Sequence, residues 1–299
     1  MYRKGKWAQE IIALQEEDGK WGCFHSLAQS YGAPMTTEQA LRRLERLGFT
    51  MEDECIRRAV SYLSDCLAGE KEIPDYREKF HDWDVFTRLM LSVWIRRFTP
   101  SNADANRTAE NWAAVVSAGF EDCGDVSREN HGLHGIYRRA GFNQKRYEEA
   151  YRDILKPTHG TLLGFGNFYH VSLLTGCLPD GIEEAFFDNI LAGGIYYIYE
   201  HPLTVLPDEF ESRGASRYLA ALECLAGYRW ASEKLAFAVE WIYDNRGEDG
   251  LWDLGKTAAD RVYLPLSDSW RKAETRRADC TCRVTDLLDR IGKQNIQNT

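Results

Sequence analysis

Acidic, basic and aromatic side chains stand together at Phe80-His81-Asp82-Trp83-Asp84. An imidazole and two carboxylates suit acid–base catalysis or the stabilisation of a cation, so His81, Asp82 and Asp84 are candidate catalytic residues and Trp83 a candidate ligand contact. The alternative is structural, because a helix starts here and Asp82 or Asp84 could cap its free backbone N–H groups.

A second group comprises Asp268, Trp270 and Arg271. Asp268 is a further candidate catalytic residue, and Arg271 could orient a polar or anionic ligand against the indole of Trp270. Asp268 and Arg271 could instead pair with each other and fix a long loop.

A third group, Asp208, Glu209, Glu211 and Arg213, precedes another predicted helix. Paired carboxylates would suit glycoside chemistry, and Glu211 and Arg213 are candidate ligand-binding residues. The alternative is a solvated or capping charge run.

Further candidates lie within predicted helices. Tyr169 and His170 are candidate ligand-binding residues on one of them, while His131 and His134 stand one helical turn apart. Two imidazoles at that spacing permit metal binding, but no third ligand can be named, so we predict neither a metal nor a cofactor.

Composition excludes several classes of protein. The 299 residues carry 37 basic and 46 acidic side chains, a net charge of −9, which argues against nucleic acid as a partner. No apolar run approaches the length of about 20 residues that a membrane span needs. The eight cysteines are scattered, and the close pair Cys280 and Cys282 has no second pair to complete a zinc site. We therefore expect reduced thiols, a cytoplasmic location and no membrane span, whereas a protein partner is left open.

Apolar residues recur with the helical period along the whole chain, and no segment shows a sustained two-residue alternation. The class predicted is all-α. Start signals stand at Thr36, Asp180 and Ser212. The pattern predicts twelve helices, at 7–16, 36–48, 51–68, 84–99, 106–120, 130–141, 145–155, 162–176, 182–199, 213–227, 231–246 and 275–292.

Short and long connections alternate between these helices, which predicts successive antiparallel hairpins with the long loops emerging at one end. Histidines are concentrated in or beside those long loops, at 25, 81, 131, 134, 159 and 201. Aromatic residues expected on inner helices, as cavity wall or as core, are Phe86, Trp94, Phe165, Phe168, Tyr169 and Tyr218.

Two segments resemble each other near the ends of the sequence. Leu14-Gln15-Glu16-Glu17-Asp18-Gly19-Lys20-Trp21-Gly22 is echoed by Asn245-Arg246-Gly247-Glu248-Asp249-Gly250-Leu251-Trp252-Asp253, each after an amphipathic helix with a tryptophan. A helix followed by Gln-x-x-Asp-Gly-x-Trp-Gly resembles the QW repeats of the squalene cyclase and protein prenyltransferase superfamily. The segments 36–41 and 58–63 are similar to inner and outer helices of that fold. The resemblance implies one domain over 1–299, an (α/α)6 toroid of six inner and six outer helices.

The catalytic signatures of that superfamily are incomplete here. Class II terpene cyclases use Asp-x-Asp-Asp, whereas Asp82-Trp83-Asp84-Val85 lacks the third acid. Prenyltransferase β-subunits hold zinc with Asp-x-Cys and a distant His, whereas Asp279-Cys280 has another spacing and no His follows it. Neither active site is carried over.

Three functions remain. The leading one is a terpenoid cyclase-like or prenyltransferase-like toroid that binds a hydrophobic or amphipathic small molecule at the face bearing the long loops, with its activity undetermined. The others are a carbohydrate-active (α/α)6 enzyme using paired carboxylates and a non-catalytic scaffold or binding module.

Overall fold

A computed structural model describes residues 2–25, 34–77, 79–121 and 141–297 of the chain, with side chains to residue 293. Within these ranges the chain forms twelve α-helices, named in chain order as follows: α1 (Lys6–Ala13), α2 (Thr37–Arg46), α3 (Glu54–Ala68), α4 (Trp83–Phe98), α5 (Ala103–Phe120), α6 (Gln144–Ala150), α7 (Phe168–Leu173), α8 (Asp180–Gly193), α9 (Arg213–Leu225), α10 (Ala231–Lys234), α11 (Ala236–Asp244) and α12 (Ala273–Gln297).

The all-α class is confirmed for this part of the chain. The described residues contain no β-strand, and the only bridges are the isolated pairs Asn167–Tyr196 and Ile195–Tyr199. A π-helical turn at Tyr151–Leu155 continues α6. Two of the predicted start signals are N-caps: Thr36 forms a capping box with Gln39, and Ser212 accepts from the Ala215 N–H at 2.9 Å.

Most predicted helices overlap an observed one, and the differences have local causes. The helix predicted at 182–199 ends at Gly193, because Gly194 and Tyr197 take positive φ angles of 83° and 75° and the chain turns back on itself. The helix predicted at 162–176 is shortened to α7, since Asn167 caps its start. The helix predicted at 231–246 is divided into α10 and α11 at Leu235. The helix predicted at 130–141 lies outside the described residues.

The chain divides into two units. Unit 1 comprises Met1–Thr108 and Ala259–Asp279, and unit 2 comprises Ala109–Ala258 and Cys280–Thr299. Two of the three divisions fall inside α5 and α12, so each of these helices contributes to both units, and the third follows Ala258.

In unit 1, α3 packs against α4. The helical period of apolar residues is confirmed on these two helices, because every residue of the apolar series at that spacing is buried: Ile56, Ala59, Val60, Leu63, Leu67, Phe86, Leu89, Met90, Val93 and Trp94. Helix α3 buries one face, whereas α4 is buried on nearly all sides between Val85 and Ile95. A helix buried all round belongs to the interior of its unit.

The 264–270 segment joins unit 1 from the far end of the sequence. The Trp7 indole N–H donates to the Ser267 carbonyl at 3.0 Å, and the Arg43 guanidinium donates to the Pro265 carbonyl. Arg43 is only 4% exposed, and its burial lowers its pKa to about 10. The early helices α1 and α2 are thus held by a segment more than 200 residues later in the chain.

In unit 2, α7 packs against α9, and α9 is buried on most of its surface. An ion pair crosses this interior: Arg283 of α12 donates to Glu223 of α9 at 2.8 Å and to the Ser216 hydroxyl at 2.7 Å. Both charged side chains are almost completely buried. Such a pair contributes to stability mainly because each charge would otherwise be buried without a partner.

Each unit contains the same hydrogen-bonded tryptophan turn. In unit 1 the Trp21 indole donates to the Ile11 carbonyl at 2.7 Å, and its backbone N–H donates to the Thr37 hydroxyl at 2.9 Å. In unit 2 Trp252 makes the equivalent bonds to the Ile242 carbonyl and the Thr281 hydroxyl at the same distances. The two similar sequence segments are therefore two copies of one structural turn.

Glycine is required in this turn. Gly19 has a φ of 100° and Gly250 a φ of 78°, in the left-handed region that side chains with a Cβ avoid. A Cβ at Gly19 would also collide with the Arg58 carbonyl of α3. These backbone angles explain why both copies of the Asp-Gly-x-Trp pattern have glycine at this position.

Candidate functional site

A cavity of about 290 Å³ lies in unit 1, where α3 ends and α4 begins. Three consecutive parts of the chain line it. They are the last turn of α3 (Cys66 and Leu67), the connecting segment (Gly69, Lys71, Glu72, Ile73, Asp75 and Arg77) and the first turns of α4 (Trp83, Asp84, Thr87, Arg88 and Leu91).

Local sequence signals place these three walls. Helix α3 stops because Gly69 takes a φ of 80° and its N–H bonds back to the Cys66 carbonyl at 3.1 Å. Helix α4 starts because the Asp82 carboxylate accepts from the Val85 N–H at 3.0 Å. The intervening segment must cross from one helix end to the other, and it borders the cavity as it does so.

Most charges around the cavity are already satisfied by the protein. Lys71 pairs with Asp65 at 2.8 Å, and Arg77 approaches Glu72 at 3.4 Å. Lys71 also lies 5.7 Å from the centre of the Tyr62 ring, in a cation–π contact. The pair with Asp65 raises the pKa of Lys71, which is therefore charged at neutral pH.

Asp75 anchors the connecting segment. Its two carboxylate oxygens accept the backbone N–H groups of Phe24 and His25 at 2.5 and 2.7 Å. Burial raises the pKa of Asp75, against the opposing effect of these two hydrogen bonds. The carboxylate thus fixes one wall of the cavity to the segment that follows Trp21.

Cys66 is the only thiol on the described wall of this cavity. Burial raises its pKa above the ordinary value, so the protonated thiol predominates at neutral pH. Because the thiolate is the reactive form, this position does not favour nucleophilic chemistry. All seven cysteines that the structure describes are free thiols, as the sequence predicted.

The residues of the predicted cluster at 80–84 have different roles: one caps a helix, and two line the cavity. Asp82 is 3% exposed and caps α4, which confirms the capping alternative for this residue. Trp83 and Asp84 line the cavity, and Asp84 is exposed to solvent. His81 lies instead beside Phe86, with ring centres 6.3 Å apart.

Phe86 also contacts a histidine from an earlier loop. The His25 ring packs edge-on against it at 5.6 Å. Two of the loop histidines, His25 and His81, therefore meet on one aromatic ring of α4. The described residues contain no group of three His, Cys, Asp or Glu side chains arranged to hold a metal ion.

The residues predicted at 268–271 do not line this cavity. Asp268 accepts the Lys6 N–H at 2.6 Å, at the start of α1, and does not form the alternative pair with Arg271. The Trp270 indole donates to Asp279 at 2.7 Å, and the exposed Arg271 bonds through its backbone to the Ser269 hydroxyl.

Asp279 is the residue that fixes this loop. One of its oxygens accepts the Leu266 and Ser267 N–H groups at 2.9 and 2.8 Å, the Ser267 hydroxyl at 2.6 Å and the Trp270 indole. In the sequence Asp279 drew notice only as part of an incomplete zinc signature. Its position nearly two turns inside α12, with a long polar loop before the helix, gives no sequence signal that Asp279 fixes that loop.

The remaining predicted site residues lie in unit 2. Glu211 and Arg213 are exposed at the start of α9, where Ser212 supplies the cap, and Asp208 and Glu209 are also exposed. Tyr169 and His170 are buried in α7, where their N–H groups bond to the Asn167 side chain and the His170 ring packs edge-on against Trp112. His131 and His134 lie outside the described residues.

The aromatic residues expected on inner helices are core. All six are at most 6% exposed: Phe86, Trp94, Phe165, Phe168, Tyr169 and Tyr218. Sequence reasoning missed the cavity residues Asp75, Thr87 and Arg88. Arg88 had one usable signal, its position one helical turn after Asp84.

No protein-family model, curated protein or solved structure gives a significant match to this chain. Among the helices that the structure describes, none is long and apolar enough to cross a membrane.

Proposed function

We propose that the chain binds a small molecule in the cavity between α3 and α4. The observation that carries this proposal is the position of Trp83 and Asp84, two residues of the densest candidate cluster, on the wall of a cavity of about 290 Å³. That volume is at the lower end of the range for ligand pockets, so the ligand is small.

The wall is mixed in character, which favours an amphipathic ligand. Leu67, Ile73 and Leu91 supply apolar surface, while charged groups stand around them. Buried leucine and isoleucine gain from contact with an apolar group, whereas the charged residues orient a polar one.

We further propose that the helices close into a single (α/α)6 toroid like that of the squalene cyclase and protein prenyltransferase superfamily. Two observations support it. The turns at Trp21 and Trp252 share their hydrogen bonds, and α4 and α9 are buried on most sides whereas α3 buries only one. Inner and outer helices of a toroid differ in the same way.

The binding proposal is tested by screening the full-length chain against a library of sugars, isoprenoid alcohols and amino acids, with thermal shift followed by isothermal titration calorimetry. Thr87→Phe and Cys66→Phe each place an aromatic ring at the cavity, one from α4 and the other from α3, and at least one variant is expected to fold. Thr108→Phe, a half-buried threonine of α5 that does not line this cavity, is the matched control.

We expect a library compound to bind the wild type and the Thr108→Phe variant but not the cavity-filled variants. Binding that persists in both folded cavity-filled variants, or the absence of binding to the wild type, would overturn the proposal. The toroid is tested by crystallography of the full chain, where an open arrangement of the helices would contradict it.

A further inference from the structure

One face of α4 is turned towards the cavity. Its residues are Trp83, Asp84, Thr87, Arg88 and Leu91, at the spacing of neighbours on a helix surface. Asp84 and Arg88 are one turn apart, about 6 Å along the helix axis. The acid precedes the base, which is the favourable order for an ion pair on a helix.

Asp84 and Arg88 nevertheless do not pair. Neither side chain forms a hydrogen bond or an ion pair with any residue in the described part of the chain, and both are exposed. Another acid–base pair in the same order and at the same spacing on a helix does form, that of Glu38 with Arg42 in α2 at 3.5 Å. The two charges at the cavity are thus available to a ligand.

Thr87 lies between them in the sequence and also lines the cavity. Its hydroxyl oxygen is shielded from solvent and has no hydrogen-bond partner within the described residues. A buried hydroxyl without a partner is unfavourable, and a ligand oxygen in the cavity would satisfy it.

The charge balance of the wall limits the ligand further. Lys71 pairs with Asp65, Arg77 pairs with Glu72, and Asp75 accepts two backbone N–H groups. One carboxylate and one guanidinium remain, those of Asp84 and Arg88. An anion alone would be repelled by Asp84 and a cation alone by Arg88, whereas a molecule carrying both charges satisfies both.

We infer that the ligand of this cavity is a zwitterion whose ammonium group binds Asp84 and whose carboxylate or phosphate binds Arg88, with the Thr87 hydroxyl hydrogen-bonded to the anionic group. This inference rests on the proposed function, because it assigns a chemical class to the ligand of the same cavity. Charge-assisted hydrogen bonds at both ends fix the orientation of the ligand.

The test uses three probes of matched length, measured by isothermal titration calorimetry on the full chain at low ionic strength. 4-Aminobutanoate carries both charges, butanoate only the negative charge and butylammonium only the positive one. 2-Aminoethyl phosphate distinguishes a phosphate from a carboxylate as the anionic group. The variants are Asp84→Asn, Arg88→Gln and Thr87→Val.

The matched control is Asp104→Asn. Asp104 is an exposed acid in the first turn of α5, as Asp84 is in the first turn of α4, and it does not line this cavity. This control separates loss of the ligand contact from a general effect of removing an acid near a helix start.

We expect 4-aminobutanoate or 2-aminoethyl phosphate to bind about tenfold or more tightly than either singly charged probe, and Asp84→Asn and Arg88→Gln each to remove about that factor. Thr87→Val should weaken binding less, and Asp104→Asn should leave it unchanged.

Equal binding of a zwitterion and a singly charged probe would overturn the inference, as would unchanged affinity in Asp84→Asn and Arg88→Gln. If neither zwitterion binds while another compound binds the wild type and not the Thr87→Phe variant, the inference fails and the proposed function stands. If no library compound binds, both fail.

Discussion

Trp21 and Trp252 donate the same hydrogen bond, each from its indole N–H to the carbonyl of an isoleucine ten residues earlier, at 2.7 Å. The residue six positions before the tryptophan differs between the two turns. Gln15 bonds to the Gly19 and Cys55 carbonyls, whereas Arg246 bonds to the Gly250 carbonyl and stacks 4.9 Å from the centre of the Trp252 ring. The two turns therefore share the hydrogen bond of the tryptophan, whereas the side chain that braces each turn differs.

Replacing either tryptophan by phenylalanine should therefore destabilise the protein to a similar extent. Trp21→Phe and Trp252→Phe each lose one buried hydrogen bond and some packing, and we expect each to lower the free energy of unfolding by about 1–3 kcal/mol. Urea denaturation followed by circular dichroism measures this. Trp230→Phe, at a half-buried indole with no hydrogen bond in the described part of the chain, should cost clearly less. A large difference between Trp21→Phe and Trp252→Phe would show that the two turns are not energetically equivalent.

Asp82 is expected to act as a helix cap. Asp82→Ala should lower the free energy of unfolding by about 1 kcal/mol, because the Val85 N–H loses its acceptor, whereas Asp82→Ser should restore most of the loss. The measurement is chemical denaturation of both variants. If Asp82→Ser retained full stability but lost all ligand binding, the carboxylate would have a role beyond capping.

Asp279 should be among the most sensitive positions in unit 1. Asp279→Ala leaves the donors of Leu266, Ser267 and Trp270 without their acceptor, and we expect a loss of about 3 kcal/mol or more. Asp286→Ala, at an exposed position of α12, should change stability by less than about 0.5 kcal/mol. Thermal and urea unfolding test both variants, and comparable stabilities for them would contradict the role assigned to Asp279.

Asp75 should give the stability a pH dependence of defined sign. Its pKa in the folded protein lies above the ordinary value of 3.8, so the folded state holds this proton more tightly than the unfolded state. The stabilising contribution is complete below pH 3.8 and is lost as the pH rises through the folded pKa, by at most about 1.4 kcal/mol per pH unit.

Urea denaturation of the wild type and Asp75→Asn between acidic and neutral pH measures this contribution. The stability of the wild type relative to the variant should fall as the pH rises from the acidic end and then become constant. A relative stability that rises with pH would mean that the hydrogen bonds from Phe24 and His25 outweigh burial.

The helices could be predicted from the sequence because their signals are local. The stripes on α3 and α4, the cap at Ser212 and the turns at Gly19 and Gly250 depend on residues within a few positions of each other. The end of α8 was misjudged, since the apolar run Ile195–Tyr199 continues beyond Gly194 although the backbone does not continue as a helix.

The cavity was only partly predictable. Trp83 and Asp84 were found because aromatic and charged residues are dense there, but Asp75 was not, since its partners Phe24 and His25 are about 50 residues away in the sequence. Asp268 was a candidate catalytic residue and Trp270 a candidate ligand contact, whereas they bond to Lys6 and Asp279. The sequence does not distinguish a polar side chain that bonds to a distant part of the backbone from one that binds a ligand.

The discontinuity of unit 1 has a consequence for biosynthesis. Residues 109–258 leave the ribosome before 259–279, although the latter belong with the first 108 residues. Until they emerge, the Arg43 guanidinium and the Trp7 indole lack the carbonyls of Pro265 and Ser267 that accept their hydrogen bonds. Unit 1 therefore completes its hydrogen bonding only after residues 109–258 have been synthesised, and a nascent chain stalled before residue 259 would expose surfaces of α1 and α2 to proteases and chaperones.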